Sequence, residues 1–254
     1  MNSRQLIVPV LLVVLSASVV AESAIPEKVS DWIPTDIDFA AMHPFYGAAN
    51  RVGTVWDVYK SAGNVKVRKN AWKQDYPSIE VAGGKLLCAN DGEFGSTVFW
   101  QPGKAEKVAI SHDQVQEFFS VSDHIYALSG IAHGGTNVGE VLSFVRAEKT
   151  WAISRLCKLA DEPQVAVPET TKTFLVLTYS SLCRVSIDGW IQLLVVSARW
   201  NGLHPRSLVV GDDGFAYVGF SQRIAKVDLK TGDTTYLIPY EGIFEDDVKI
   251  DSVK

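Results

Sequence analysis

Along most of the chain apolar and polar residues alternate with a period of two, in short runs broken by glycine-containing turns. That pattern predicts half-buried β-strands joined by tight hairpins. Residues 200–238 show it most clearly. Ser207–Val210 and Phe215–Phe220 flank Gly211-Asp212-Asp213-Gly214, and residues 224–229 and 234–238 flank Lys230-Thr231-Gly232-Asp233. The D-G and T-G pairs supply residues that tolerate positive φ. Four strands within about forty residues make one four-stranded meander.

Hairpins of the same kind recur. Residues 55–60 turn at Ser61-Ala62-Gly63-Asn64, 97–100 at Gln101-Pro102-Gly103-Lys104, 142–145 at 146–149, and 184–187 at Asp188-Gly189. With Val58, Trp100, Val145, Ile187 and Leu229 as equivalent centres, the steps are 42, 45, 42 and 42 residues. Four of the hairpins follow another apolar pair: 78–81 with 85–89, 118–121 with 124–128, 164–167 with 173–178, and 207–210 with 215–220. An all-strand period of this length predicts an all-β, five-bladed β-propeller. Six blades are the alternative, if the irregular residues 32–50 hold further strands. The first hairpin lacks a preceding pair. The expectation is therefore that N- and C-terminal segments, 32–49 or 242–253, supply its inner strands and close the first blade. A β-sandwich is disfavoured by the regular period and the short connections.

Residues 1–21 stand apart. Arg4 precedes an apolar run from Leu6, and Val19-Val20-Ala21 offers small residues for cleavage before Glu22. This predicts a secretory signal peptide and one β-propeller domain over 22–254, secreted or periplasmic. The run is shorter than a membrane span, and no other run of that length follows. Arg4 is the only charge removed, so the formal charge falls one unit below −5. A mildly acidic chain has no broad basic field, so nucleic acid is not expected as a partner. Cys88, Cys157 and Cys183 each sit in an apolar strand-like run. They read as buried small hydrophobes, with a Cys157–Cys183 bridge as the alternative in an oxidising compartment.

Candidate chemistry falls on the loops that lead into the inner strands and on those joining second to third strands, which emerge together. Trp72-Lys-Gln-Asp-Tyr76-Pro77 matches Trp200-Asn-Gly-Leu-His204-Pro205-Arg206. One reading makes these aromatic platforms at the channel rim. The other makes them packing wedges, with X-Pro forcing an extended approach. Residues 90–95, with Asp91 and Glu93, and 130–137, with His133 and Asn137, read as long polar loops that skew a binding surface toward one side. Asn90, Asp91 and Glu93 are hard-oxygen ligands suited to Ca2+ or another divalent metal. Three oxygens fall short of a shell, so no cofactor is expected. None of the five histidines lies in a catalytic sequence pattern.

The stretch H-P-R-S-L-V-V-G-D-D-G-F-A-Y-V-G-F with V-D-L-K-T-G resembles blades of the NHL, quinoprotein-like and gluconolactonase-like propellers. The resemblance implies the propeller fold. It includes lactonases with a metal in the channel, whose Glu, Asn and Asp ligands have no matching positions in this chain. The sequence reading is an exported, monomeric, non-catalytic binding module for a protein or carbohydrate at the channel face. A metal-dependent or acid–base hydrolase at the same mouth is the alternative.

Overall fold

The computed structural model describes residues 27–35, 55–69, 76–90, 94–221 and 223–238. Residues 1–21, expected to be a signal peptide, and the C-terminal segment 242–253 lie outside them, as does all of 32–49 beyond Thr35. Every element within the described residues is a strand, apart from a short 3-10 turn at Val29–Asp31. Among the described residues no helix is long and apolar enough to cross a membrane.

An N-terminal strand, β1 (Ile33–Thr35), precedes a two-stranded hairpin of β2 (Trp56–Ser61) and β3 (Asn64–Lys69). Four meanders of four strands follow. The first holds β4 (Ser78–Val81), β5 (Gly84–Asn90), β6 (Ser96–Pro102) and β7 (Val108–Ser111); the next holds β8 (Val115–Val121), β9 (His124–His133), β10 (Thr136–Ala147) and β11 (Thr150–Leu159). Then come β12 (Pro163–Pro168), β13 (Thr173–Thr178), β14 (Leu182–Ser186) and β15 (Ile191–Val195), and last β16 (Ser207–Val210), β17 (Phe215–Phe220), β18 (Arg223–Asp228) and β19 (Thr234–Ile238). Within each meander, neighbours in the sheet are neighbours in sequence, joined by hairpins, so register is set locally by turn chemistry. Ala62 and Gly63 turn the first hairpin with φ of 48° and 75°.

The core is split into four apolar layers, each between two facing sheets. Leu86, Val98 and Trp100 of the β4–β7 sheet meet Ala127, Leu142 and Phe144 of the β8–β11 sheet. Tyr126, Leu128 and Val141 meet Phe174, Val176 and Cys183 of the β12–β15 sheet. Leu175, Leu177 and Leu182 meet Ala216, Val218 and Phe220 of the last sheet. Tyr217, Ile224 and Leu237 then meet Trp56, Val58 and Val67 of the first hairpin. Successive residues of β13 point into opposite layers, so both faces are buried and the strand reads T-F-L-V-L-T rather than as an alternation. The sheets thus stack face to face in chain order, with the first hairpin packed on the last sheet.

One expectation changes here. The sequence pattern equates residues 55–60 with third strands, yet β2 occupies a first-strand position. Val58 N–H donates to Ser207 Oγ of β16 at 2.8 Å, as Ala166 N–H of β12 donates to Glu117 Oε2 of β8 at 2.7 Å. The hairpin therefore sits where inner strands are expected; residues 36–49 and 242–253, the rest of the segments expected to supply them, lie outside the described residues. Residues 27–35 lie on outer edges. Val67 N–H donates to Glu27 O at 2.7 Å, Lys28 bridges Lys66 on β3, and β1 pairs antiparallel with β19. Trp32, buried between these contacts, meets Trp56 edge-on at 5.3 Å. Residues 27–35 form a strap across two sheets.

The cysteines are free thiols. Cys183 and Cys157 lie in the layer between the two middle sheets, where burial pushes their thiols up to about 12 and about 11.

Candidate functional site

The lead-ins to three successive inner strands are built alike. Gly130 N–H donates to Gln114 O at 3.1 Å, Tyr179 N–H to Glu162 O at 2.8 Å and Ser221 N–H to Leu203 O at 2.8 Å. Each bond ties the lead-in of a sheet to the end of its own second strand or the loop beyond. The first two lead-ins read Asp113-Gln-Val-Gln116 and Asp161-Glu-Pro-Gln164, and the buried Val115 and Pro163 anchor them. Gln116 and Gln164 both sit opposite register shifts. Such bulges turn a side chain away from the ladder.

Glu162 is the hub of the resulting network. Its carboxylate accepts from Gln164 Nε2 at 2.9 Å, from Gln116 Nε2 at 3.5 Å and from the Ala132 N–H. Its own N–H donates to Asn137 Oδ1 at 2.7 Å. Gln116 Nε2 also reaches Gly130 O at 2.9 Å, and Asn90 Nδ2 donates to Val115 O at 3.1 Å. The row of amides and one carboxylate runs across the β4–β7, β8–β11 and β12–β15 sheets. Burial raises the pKa of Glu162, and the charge of Asp161 adds to the rise against the hydrogen bonds. Asp161 is itself buried and accepts from Ser180 Oγ.

A cleft of about 480 Å3 opens beside this row, between the lead-in His112–Gln114 and strands β10 and β11. Ser129, Gly130 and Gly139 line it together with Asn137, Glu140, Arg155 and Lys158. Glu140 pairs with Arg155. A larger cleft of about 850 Å3 is lined by the β2–β3 and β16–β17 turns. First-to-second-strand turns leave a sheet at the end opposite the lead-ins, so this cleft does not share the Glu162 face.

The sequence candidates divide among several places. Asn137 belongs to the network. His133 does not lie in a loop, because residues 130–137 are a hydrogen-bonded arm in which His133 pairs with Thr136 across a Gly134-Gly135 turn. Both glycines have positive φ, 57° and 85°, which is what a two-residue hairpin requires. The exposed arm runs from Ala132 to Val138. His204 is exposed in the lead-in to β16 with φ of 53°. Partial burial and the neighbouring Arg206 lower its pKa. Arg206 is half-buried near Asp57 of β2. Tyr76 is exposed just before β4. Trp200 is a core residue with no exposed surface, packed against Phe220 at 6.4 Å, so its ring is not offered to a ligand. Trp72, Asp91 and Glu93 lie outside the described residues. Among the described residues no three His, Cys, Asp or Glu side chains converge as a metal site would require.

The Gln114–Gln116 and Glu162–Gln164 pairs escaped sequence reading. The signal was present as D-Q-V-Q and D-E-P-Q, each directly before an inner strand.

Glu117, on β8, is a second unusual acid. The residue is half-buried, yet burial of its carboxyl raises the pKa to about 7, against the Ala166 hydrogen bond that lowers it. The folded state therefore holds a proton that the unfolded chain releases near 4.5. Stability from this group is full below pH 4.5 and is lost as pH rises through about 7. Denaturant melts at pH 5 and pH 8 are expected to show Glu117→Gln gaining about 2 kcal/mol over the natural chain at the higher pH. Equal pH dependence of the two proteins would contradict the assignment.

No family model matches the chain, and no curated protein matches it. Solved structures similar to it are β-propeller proteins. The virginiamycin B lyase of Staphylococcus aureus has 13% identity over 72% of this chain and 55% of its own, with a TM-score of 0.37. A gluconolactonase of Xanthomonas campestris has 10% identity over 67% and 62%, with a TM-score of 0.39. The WD40 β-propeller domain of Doa1 has 18% identity over 72% and 61%, also with a TM-score of 0.39. The chain spans less than two thirds of the length of each.

Proposed function

We propose that the chain is an exported, non-catalytic binding module, a five-bladed propeller that takes a protein or carbohydrate ligand on the face of the inner-strand lead-ins. The observation that carries this reading is the Glu162 network. Amides on β8, β10 and β12 and a carboxylate on the lead-in to β12 present closely spaced donors and acceptors, the equipment for reading hydroxyl or peptide groups. The five-blade count rests on the four meanders and on the first hairpin in a first-strand position. Export rests on the pattern of residues 1–21.

The test compares the natural chain with Glu162→Gln and with a Gln116→Ala, Gln164→Ala double variant, on a glycan array and in pull-downs from envelope extract. A ligand bound by the natural chain and lost by the double variant, with circular dichroism unchanged, is expected. Retention of the ligand by the double variant would sink the site.

One observation favours a second reading, an acid–base hydrolase. Glu162 has a raised pKa and sits next to Asp161, as a general acid requires. On that reading Glu162→Gln abolishes turnover on a lactone, ester or glycoside panel while ligand still binds.

A further inference from the structure

A sheet edge left open is a template for another strand, and folded proteins protect such edges with charges, short strands or covering segments. Among the described residues the outer edges are protected in those ways, with one exception. β19 is covered by β1, and β3 is met by Glu27 and Lys28. β11 carries Arg155 and Lys158, and Arg155 is paired with Glu140. β7 is four residues long and follows Lys107, which lies over the Phe99 ring. On β15 no charge occurs from Gly189 to Ala198, and no described strand pairs with its outer side. The strand is short, carries a register shift opposite Leu182 and Cys183, and meets the Gly232 turn at Leu194 O, but none of these charges the edge.

Three large apolar side chains on or beside that edge are exposed. Trp190 is 59% exposed, Leu193 51% and Val196 63%. Leu193 within β15 and Trp190 and Val196 just beyond its ends put three large apolar side chains along an edge with no described partner strand, which marks an interaction surface rather than scattered exposure. The three are evenly spaced about Leu193, so the pattern reads alike in either chain direction. The charges flanking the uncharged run are opposite. Asp188 stands before it and Arg199 after it, both exposed, with the Arg199 guanidinium over the Tyr236 ring. An antiparallel copy of the same strand sets the Asp188 end of each chain beside the Arg199 end of the other, twice per pair. A parallel copy sets like charges together.

We infer that β15 is a self-association edge, on which a second copy of this chain pairs antiparallel across a two-fold axis. The two β12–β15 sheets then join into one continuous eight-stranded sheet. Such an isologous contact uses one patch twice and closes on itself, and main-chain hydrogen bonds supply its register. This departs from the monomer expected from the sequence. It is independent of the Glu162 face, since β15 lies on the outer edge of its sheet and the lead-ins serve the inner one.

Sedimentation velocity of the full chain, from micromolar to submillimolar concentration, is expected to show a monomer–dimer equilibrium. Leu193→Lys should leave only monomer, with unchanged circular dichroism and thermal midpoint; Val196→Lys serves as a second variant at an exposed position. Asp188→Arg should weaken the dimer about tenfold, because two exposed ion pairs are lost together. Adding Arg199→Asp to it should restore association. A natural chain that stays monomeric would overturn the inference, including one that instead captures an apolar peptide. So would a dimer indifferent to both lysine variants, or a double charge reversal that fails to recover association.

Discussion

Replacing Trp200 with alanine is expected to destabilise the fold by about 4 kcal/mol, the cost of a cavity left by a large aromatic ring in a closed core. Trp200 has no exposed surface and sits in the layer shared by the β12–β15 and β16–β19 sheets, with Leu175, Leu182, Leu208 and Phe220. Those neighbours belong to two sheets, so they cannot collapse into the gap without sliding one sheet over the other. The indole Nε1 has no hydrogen-bond partner, and Trp200→Phe should accordingly recover much of the loss, because ring volume rather than a donor is what matters. Urea unfolding at fixed pH measures both. A loss below about 1 kcal/mol for the alanine variant would place the ring outside the packed layer. The same experiment separates the platform reading from the core reading, since a platform residue lowers binding and spares stability.

Gly219→Ala is expected to be nearly as severe, at about 3 kcal/mol, and for the opposite reason. A methyl group there would lie 2.2 Å from Trp56 O and 2.4 Å from Ser207 Oγ. The first of these is backbone and has no rotamer to escape into. Gly219 pairs with Ser207 across the β16–β17 ladder, and Ser207 accepts from Val58 N–H. The added carbon therefore pushes directly on the seam between the first hairpin and the last sheet. Gly214→Ala is a contrasting case. It meets nothing within 4 Å but has φ of 82°, so its cost comes from backbone conformation alone. If the two variants unfold at the same urea concentration, the close approach at Gly219 is not what sets stability there. Losing the first hairpin without unfolding the rest, seen as faster amide exchange confined to residues 55–69, would be a direct signature of the seam.

Strand existence was legible from the chain because turns and alternation are local. The alternation predicts Ser78–Val81, Thr173–Thr178, Ser207–Val210, Phe215–Phe220 and Thr234–Ile238 with the bounds they have in the structure. What was not legible was which strand of a sheet each hairpin supplies. Residues 55–60 alternate just as 224–229 do, and only contact with Ser207 and Gly219 shows that β2 is an inner strand. The arm at 130–137 looked like a loop because glycine and polar residues are also what a solvent-exposed hairpin uses. At Trp200 the matching Trp–Pro spacing was real, but a sequence does not say toward which side of a lead-in a ring turns. The glutamines of the Glu162 network gave no warning, since an amide carries no charge and no spacing rule.

The strap has a temporal consequence. Ile33–Thr35 pair with Tyr236–Ile238, roughly two hundred residues further along, so their ladder is among the longest-range closures the chain can make. The β1–β19 ladder cannot form until the last strand has been made. Glu27 and Lys28 can meet β3 early, but β1 stays without its ladder partner until β19 arrives, and the final sheet acts as the latch that ends that wait. Truncation after β18 would leave most of the sheets intact and β1 without the strand it pairs with.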